Sequence, residues 1–182
     1  MAIPYSTSNA AGFAIGTVYT PQTSGYAQDV SGLGAPVPVG TLATATDGSV
    51  FVMVLIGTGG VTGDGYVLNI DEDFGAIMLA QANDLYGDKV GVARLPTGVA
   101  AVAGDYLWAQ VYGTCDSIRC EQDALANARL AATTDAGQVD DAGAAGTLYI
   151  RGLTLTAARG GTDGLAPGWL DYPMIETVPN VT

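Results

Sequence analysis

The chain has 182 residues, with 6 Lys and Arg against 18 Asp and Glu, no His, and a formal net charge of -12. That length suits one domain, or one domain plus an arm, able to bury about two-thirds of its unfolded surface. The charge argues against nucleic-acid binding, which draws on clustered basic residues absent here before Lys89, and against attraction to an anionic membrane.

Residues 1–40 are rich in Ser, Thr, Gly, Ala and Pro, carry one acidic residue (Asp29) and no basic one, and keep no period of 2 or 3.6. They read as an extended arm that contributes no packed face to the rest. Composition alone equally allows an idle disordered tail. Tyr5, Phe13, Tyr19 and Tyr26 favour an arm that docks on a partner, because disordered segments are poor in aromatics. Met1 to Thr7 has no positive start, and the most apolar run, Val50 to Ile56, is too short to span a bilayer. The protein is expected to stay in the compartment where it is made.

Residues 41–182 read as a β-rich domain. Val50 to Ile56 is apolar at every position, which predicts a strand buried on both faces, either central or under a subunit contact. Further strands are predicted at Tyr66–Ile70, Phe74–Ala80, Lys89–Leu95, Tyr106–Tyr112, Ile118–Glu121, Leu130–Thr133, Leu148–Leu155 and Trp169–Ile175. Short strands at such intervals, punctuated by Gly, predict an all-β barrel or sandwich of about eight to ten strands. One short helix is allowed at Gln122–Leu130, although Asp123 and Asn127 disfavour it.

Alternation along Tyr106–Tyr112 puts Leu107, Ala109 and Val111 on one face and Tyr106, Trp108, Gln110 and Tyr112 on the other. The aromatic row either belongs to the core or meets a neighbouring subunit, where Tyr and Trp are enriched. Both readings stand at the sequence level.

Chemistry-bearing motifs are weak. The glycines from Gly57 to Gly65 lack the following helix and the Lys of a phosphate cradle. Three acidic groups, Asp71-Glu72-Asp73, Asp84 with Asp88, and Asp135 with Asp140-Asp141, do not fit a calcium loop and read as turn formers. With no His there is no ordinary base for a nucleophile, and zinc lacks a ligand set. Cys115 and Cys120 could face each other across a four-residue turn and form a disulfide; in a reducing cytosol they would be two small half-buried residues. No enzyme, metal or cofactor is expected.

Val90-Gly91-Val92-Ala93, followed by Ala103-Gly104-Asp105-Tyr106-Leu107-Trp108-Ala109-Gln110-Val111-Tyr112-Gly113, resembles successive strands of the small capsid decoration, or cement, proteins of tailed bacteriophages. Gly40 to Val50, with a turn at Thr46-Asp47-Gly48-Ser49, resembles the opening hairpin of that family. Arg129 to Ala142 resembles a later hairpin and Gly152 to Ala158 a closing strand. Leu107 stands where the family commonly has Gly. The resemblance implies a virion structural protein on the outer surface of a phage head. It would be made in the host cytoplasm, bridge major capsid subunits and act as a homotrimer. An acidic β-rich surface or receptor-binding module, in one version calcium-dependent, is the alternative of a different class.

Overall fold

The computed structural model describes residues 15–20, 37–81, 88–141 and 148–177. Within them lie ten strands and no helix: β1 Leu42–Thr44, β2 Val50–Ile56, β3 Val67–Ile70, β4 Gly75–Met78, β5 Lys89–Ala93, β6 Tyr106–Cys120, β7 Ala131–Ala132, β8 Val139–Asp140, β9 Leu148–Leu155 and β10 Gly164–Thr177. The predicted all-β class is the observed one, and β6 joins two of the predicted strands into a single run.

Five strands close a ring. β2 pairs with β4 in parallel (Leu55↔Gly75), β4 with β3, β3 with β5 and β5 with β6 in antiparallel, and β6 returns to β2 through Met53↔Trp108. Val52, Val54 and Ile56 of β2, Leu68 and Ile70 of β3, Ala76 of β4, Ala93 of β5, and Leu107, Ala109 and Val111 of β6 form one buried cluster. A cluster drawing on all five strands lies inside the ring. The opposite faces are covered too. Val67, Val90 and Val92 pack with the far half of β6 and with β9 and β10, while Phe51, Met53, Tyr106 and Trp108 form a third cluster. This double burial explains the unbroken apolar run of β2. Both faces of β2 are covered within one chain except at Leu55, which is exposed, so the run as a whole gives no argument for a subunit contact.

Part of the stretch read as an arm covers that third cluster. Ile15, Tyr19, Val37 and Val39 pack against it. Tyr19 and Tyr106 exchange backbone hydrogen bonds, the Tyr19 N–H donating at 2.9 Å and the Tyr106 N–H at 2.8 Å.

A bulge in β6 sets the rest of the molecule. Against β10, Ile118 pairs with Ala166 but Cys115 pairs with Gly168, so β6 carries one extra residue near Asp116-Ser117. The extra residue shifts the side-chain phase, and Cys115 and Cys120 join the same cluster although five positions apart. Both are free and buried. No turn separates them: five residues of strand span roughly 17 Å, far beyond disulfide reach. The segment 122–130 is built of turns because Asp123 (φ 63°) and Asn127 (φ 58°) adopt the left-handed conformation, which no helix accommodates.

Candidate docking face

Tyr106, Trp108 and Gln110 keep their predicted phase but not a free position, and β6 carries an extra residue against β2 before Tyr112. Trp108 and Gln110 are wholly buried and Tyr106 nearly so. The chain's own residues 15–20 and 37–39 occupy the place a partner would take. Gln110 uses its amide to donate to the carbonyls of Tyr112 (3.3 Å) and Thr114 (2.8 Å). Tyr19 is half-buried in the same layer, and Tyr5, Phe13 and Tyr26 lie outside the described residues. Of the row, only Tyr112 is half-exposed, and it leads to a second aromatic group.

That group is built on β10. Leu170 pairs with Leu153 of β9, whereas Met174 pairs with Arg151, so β10 spends four steps where β9 spends two. The two surplus residues lie within Asp171-Tyr172-Pro173, which leaves the β9 ladder while Asp171 still pairs with Tyr112 of β6. Pro173, lacking an N–H, suits a position outside the ladder. Gly152 makes the excursion possible, since a Cβ there would stand 2.5 Å from the Asp171 carbonyl oxygen. Tyr172 itself is left-handed (φ 45°), a conformation costing a bulky residue about 1–3 kcal/mol. Its ring stacks on Tyr112 at 5.2 Å, and Tyr112 meets Trp169 edge-on at 5.6 Å. Trp169 and Tyr172 are 44% and 55% exposed.

Tyr172 also forms one wall of an apolar groove of about 400 Å³. Val52 and Val111, members of the ring's interior, are its floor, and Leu42, Phe74 and Met174 complete the walls. Leu42 is 60% exposed. Phe74 is again left-handed (φ 62°). The Asp71 carboxylate organises that turn by accepting the N–H groups of Asp73 (3.0 Å) and Gly75 (2.7 Å). The Phe74 ring occupies the space a Cβ on Gly40 would need, and the Lys89 ammonium lies 4.4 Å above it. Of the four non-glycine residues with left-handed backbone among the described residues, two therefore line this groove.

The acidic groups have other employment. Asp47 accepts from Ser49, Asp105 from the Val102 N–H and Asp141 from the Leu125 N–H. Among the described residues no three His, Cys, Asp or Glu side chains gather in a way that could hold a metal. Strand β3 follows the loop from Gly57 to Gly65. Within that loop Asp64 accepts from the Leu95 N–H at 2.9 Å and the Ser117 hydroxyl at 2.8 Å. It also faces the buried Arg94 guanidinium, which donates to Asp116 at 2.8 Å and to the Cys115 sulfur at 3.0 Å. Burial acts to raise the Asp116 carboxyl, but the hydrogen bond and charge of Arg94 outweigh it and hold the group below its ordinary 3.8. Burial pushes the Cys115 thiol up, against the opposing pull of Arg94. This thiol is a structural residue, kept protonated.

The sequence offered a partial signal for the face. Alternation in Trp169-Leu170 separates an outward ring from an inward one, and Pro173 inside a predicted strand flags a bulge. The proximity of Leu42, Phe74 and Tyr172 has no local signature, since it arises from ring closure. No family model and no curated protein matches the chain.

Proposed function

We propose that this chain is a virion structural protein that binds the outside of an icosahedral phage head and stabilises it by bridging major capsid subunits. The observation that carries the reading is the ordered resemblance of Val90–Ala93, Ala103–Gly113 and Arg129–Ala142 to capsid decoration proteins. The exposed Trp169–Tyr112–Tyr172 group beside an apolar groove supports it, because aromatic anchors next to a pocket are what protein interfaces are built around. The acidic composition suits an outward position, where it keeps particles apart. The chain acts as a homotrimer on the lattice, since three modest contacts made by one rigid body give far greater avidity than one.

Co-purification tests the reading. Heads isolated from the virus that encodes this chain are expected to carry it in a fixed ratio to the major capsid protein, on the outside and removable without breaking the shell. Recovery of the chain only in the particle-free fraction would overturn the proposal. Sedimentation of the released chain tests the trimer, and a strict monomer both free and on the particle would contradict it.

A further inference from the structure

Asp171 stands within the exposed aromatic group. It pairs in register with Tyr112 across the ladder of β6 and β10 and lies two residues beyond Trp169, so these three side chains leave the sheet on one face. Ordinary alternation would send Tyr172 to the opposite face, but its left-handed backbone lets the ring stack on Tyr112 instead. Strain of this kind gathers at ligand clamps. Trp169, Asp171 and Tyr172 are all exposed. Among the described residues the Asp171 carboxylate is in no ion pair, and no ammonium or guanidinium lies over any of the three rings.

A carboxylate beside aromatic faces recognises an organic cation, through the ring quadrupoles and the charge together. No other part of this molecule supplies that cation. The six Lys and Arg of the chain are Lys89, Arg94, Arg119, Arg129, Arg151 and Arg159, and every one lies within the described residues. Each is engaged elsewhere. Lys89, Arg119 and Arg129 rest over Phe74, Tyr66 and Tyr149, and Arg94 faces Asp64 and Asp116. Arg151 donates to the Met174 sulfur and Arg159 to the Thr162 carbonyl.

We infer that this face receives an arginine of the partner polypeptide, its charge on Asp171 and its flat guanidinium on the exposed rings of Trp169 and Tyr172. Arginine fits better than lysine because a planar guanidinium stacks on a ring, whereas an ammonium is a compact, strongly hydrated point charge. The composition agrees, since 18 acids against 6 bases favour a basic surface opposite this one. The inference rests on the reading that this face docks on the capsid, and it goes further by naming the side chain recognised there.

The probes are two blocked tripeptides, Gly-Arg-Gly and Gly-citrulline-Gly, alike in shape and different in charge. They are titrated against the full chain at low salt while the Trp169 indole N–H and the backbone amides are followed by NMR. The arginine peptide is expected to shift Trp169, Asp171 and Tyr172 saturably and to bind about tenfold more tightly than the citrulline peptide. In Asp171→Asn the preference should fall to about threefold, with the melting temperature unchanged because the side chain is exposed. Asp135→Asn removes an equal exposed charge elsewhere and should leave the preference as it was. Equal binding of the two peptides, an equal loss in both variants, or shifts spread over the acidic surface without saturation would overturn the inference. So would self-association of the full chain that Asp171→Asn abolishes, since the arginine would then come from a second copy. A failed titration beside heads that still carry the chain in fixed ratio would remove this inference and leave the capsid reading standing. Selective binding of the arginine peptide by a chain absent from heads would do the reverse.

Discussion

Trp108 and Tyr172 divide the work of the aromatic residues. Trp108 is wholly enclosed between β2, β6 and the chain's own residues 15–20 and 37–39, so truncation leaves a large cavity. Trp108→Ala is expected to cost about 3–5 kcal/mol, read from the denaturant midpoint. Tyr172 is exposed and held in a backbone conformation that disfavours it. Tyr172→Gly relieves that strain, so it should leave stability within about 1 kcal/mol of the parent, or raise it, while weakening docking. A loss beyond about 2 kcal/mol would show that the ring is a structural prop, because a strained surface residue has no such contribution to lose. Sequence alone could assign neither role. Trp108 was legible as one face of a strand, but what covers that face is an element distant in the chain. The left-handed backbone of Tyr172 depends on Gly152 of another strand making room.

At the scale of elements, the Arg94 cluster joins the loop carrying Asp64, the end of β5 and the bulge of β6. Removing both carboxylates, Asp64→Ala with Asp116→Ala, leaves a buried guanidinium uncompensated and is expected to cost about 3–5 kcal/mol. Arg94→Met removes the charge together with its need for partners and should be much milder. The pair also sets an acid limit. Asp116 has a lowered folded pKa, so its contribution is complete above 3.8 and is lost as pH falls through the lower folded value. Unfolding free energy measured on the acid side should therefore fall less steeply in Asp116→Asn than in the parent; identical slopes would contradict the assignment.

The elements also show which patterns survive translation from sequence to fold. β2 was legible because every position is apolar, and the phase of β6 was legible from Tyr106 to Gln110, beyond which its register with β2 slips by one residue. The single run from Tyr106 to Cys120 was not legible, since Gly113 (φ 97°) and the bulge near Asp116 break the period without breaking the strand. Residues 15–20 gave no signal because one backbone bridge and the packing of Ile15, Val18 and Tyr19 need no period. With Ile15 and Tyr19 on the core, a chain beginning at Gly40 is expected to melt well below the full chain and to bind hydrophobic dyes near Phe51, Met53 and Trp108. Identical melting would mean that these contacts contribute nothing.

For the whole molecule, a ring buried on both faces is a rigid mount, and the bulged end of β10 presents the Trp169–Tyr112–Tyr172 group and the groove from it. Rigidity matters because a decoration protein is proposed to hold other subunits in place, and an interface on fixed strands loses little entropy when it forms. The all-β class followed from strand spacing, whereas the groove could not, being assembled from β1, β2, β5, β6, β10 and the turn at Phe74. The most direct test is the occupancy of undecorated heads by the parent chain and by Trp169→Ala with Tyr172→Ala, after both are shown to melt alike. The parent should saturate at a fixed ratio to the major capsid protein, and the double variant should need at least tenfold more protein to reach half occupancy. Failure of the parent to bind, or equal binding by the variant, would contradict the account.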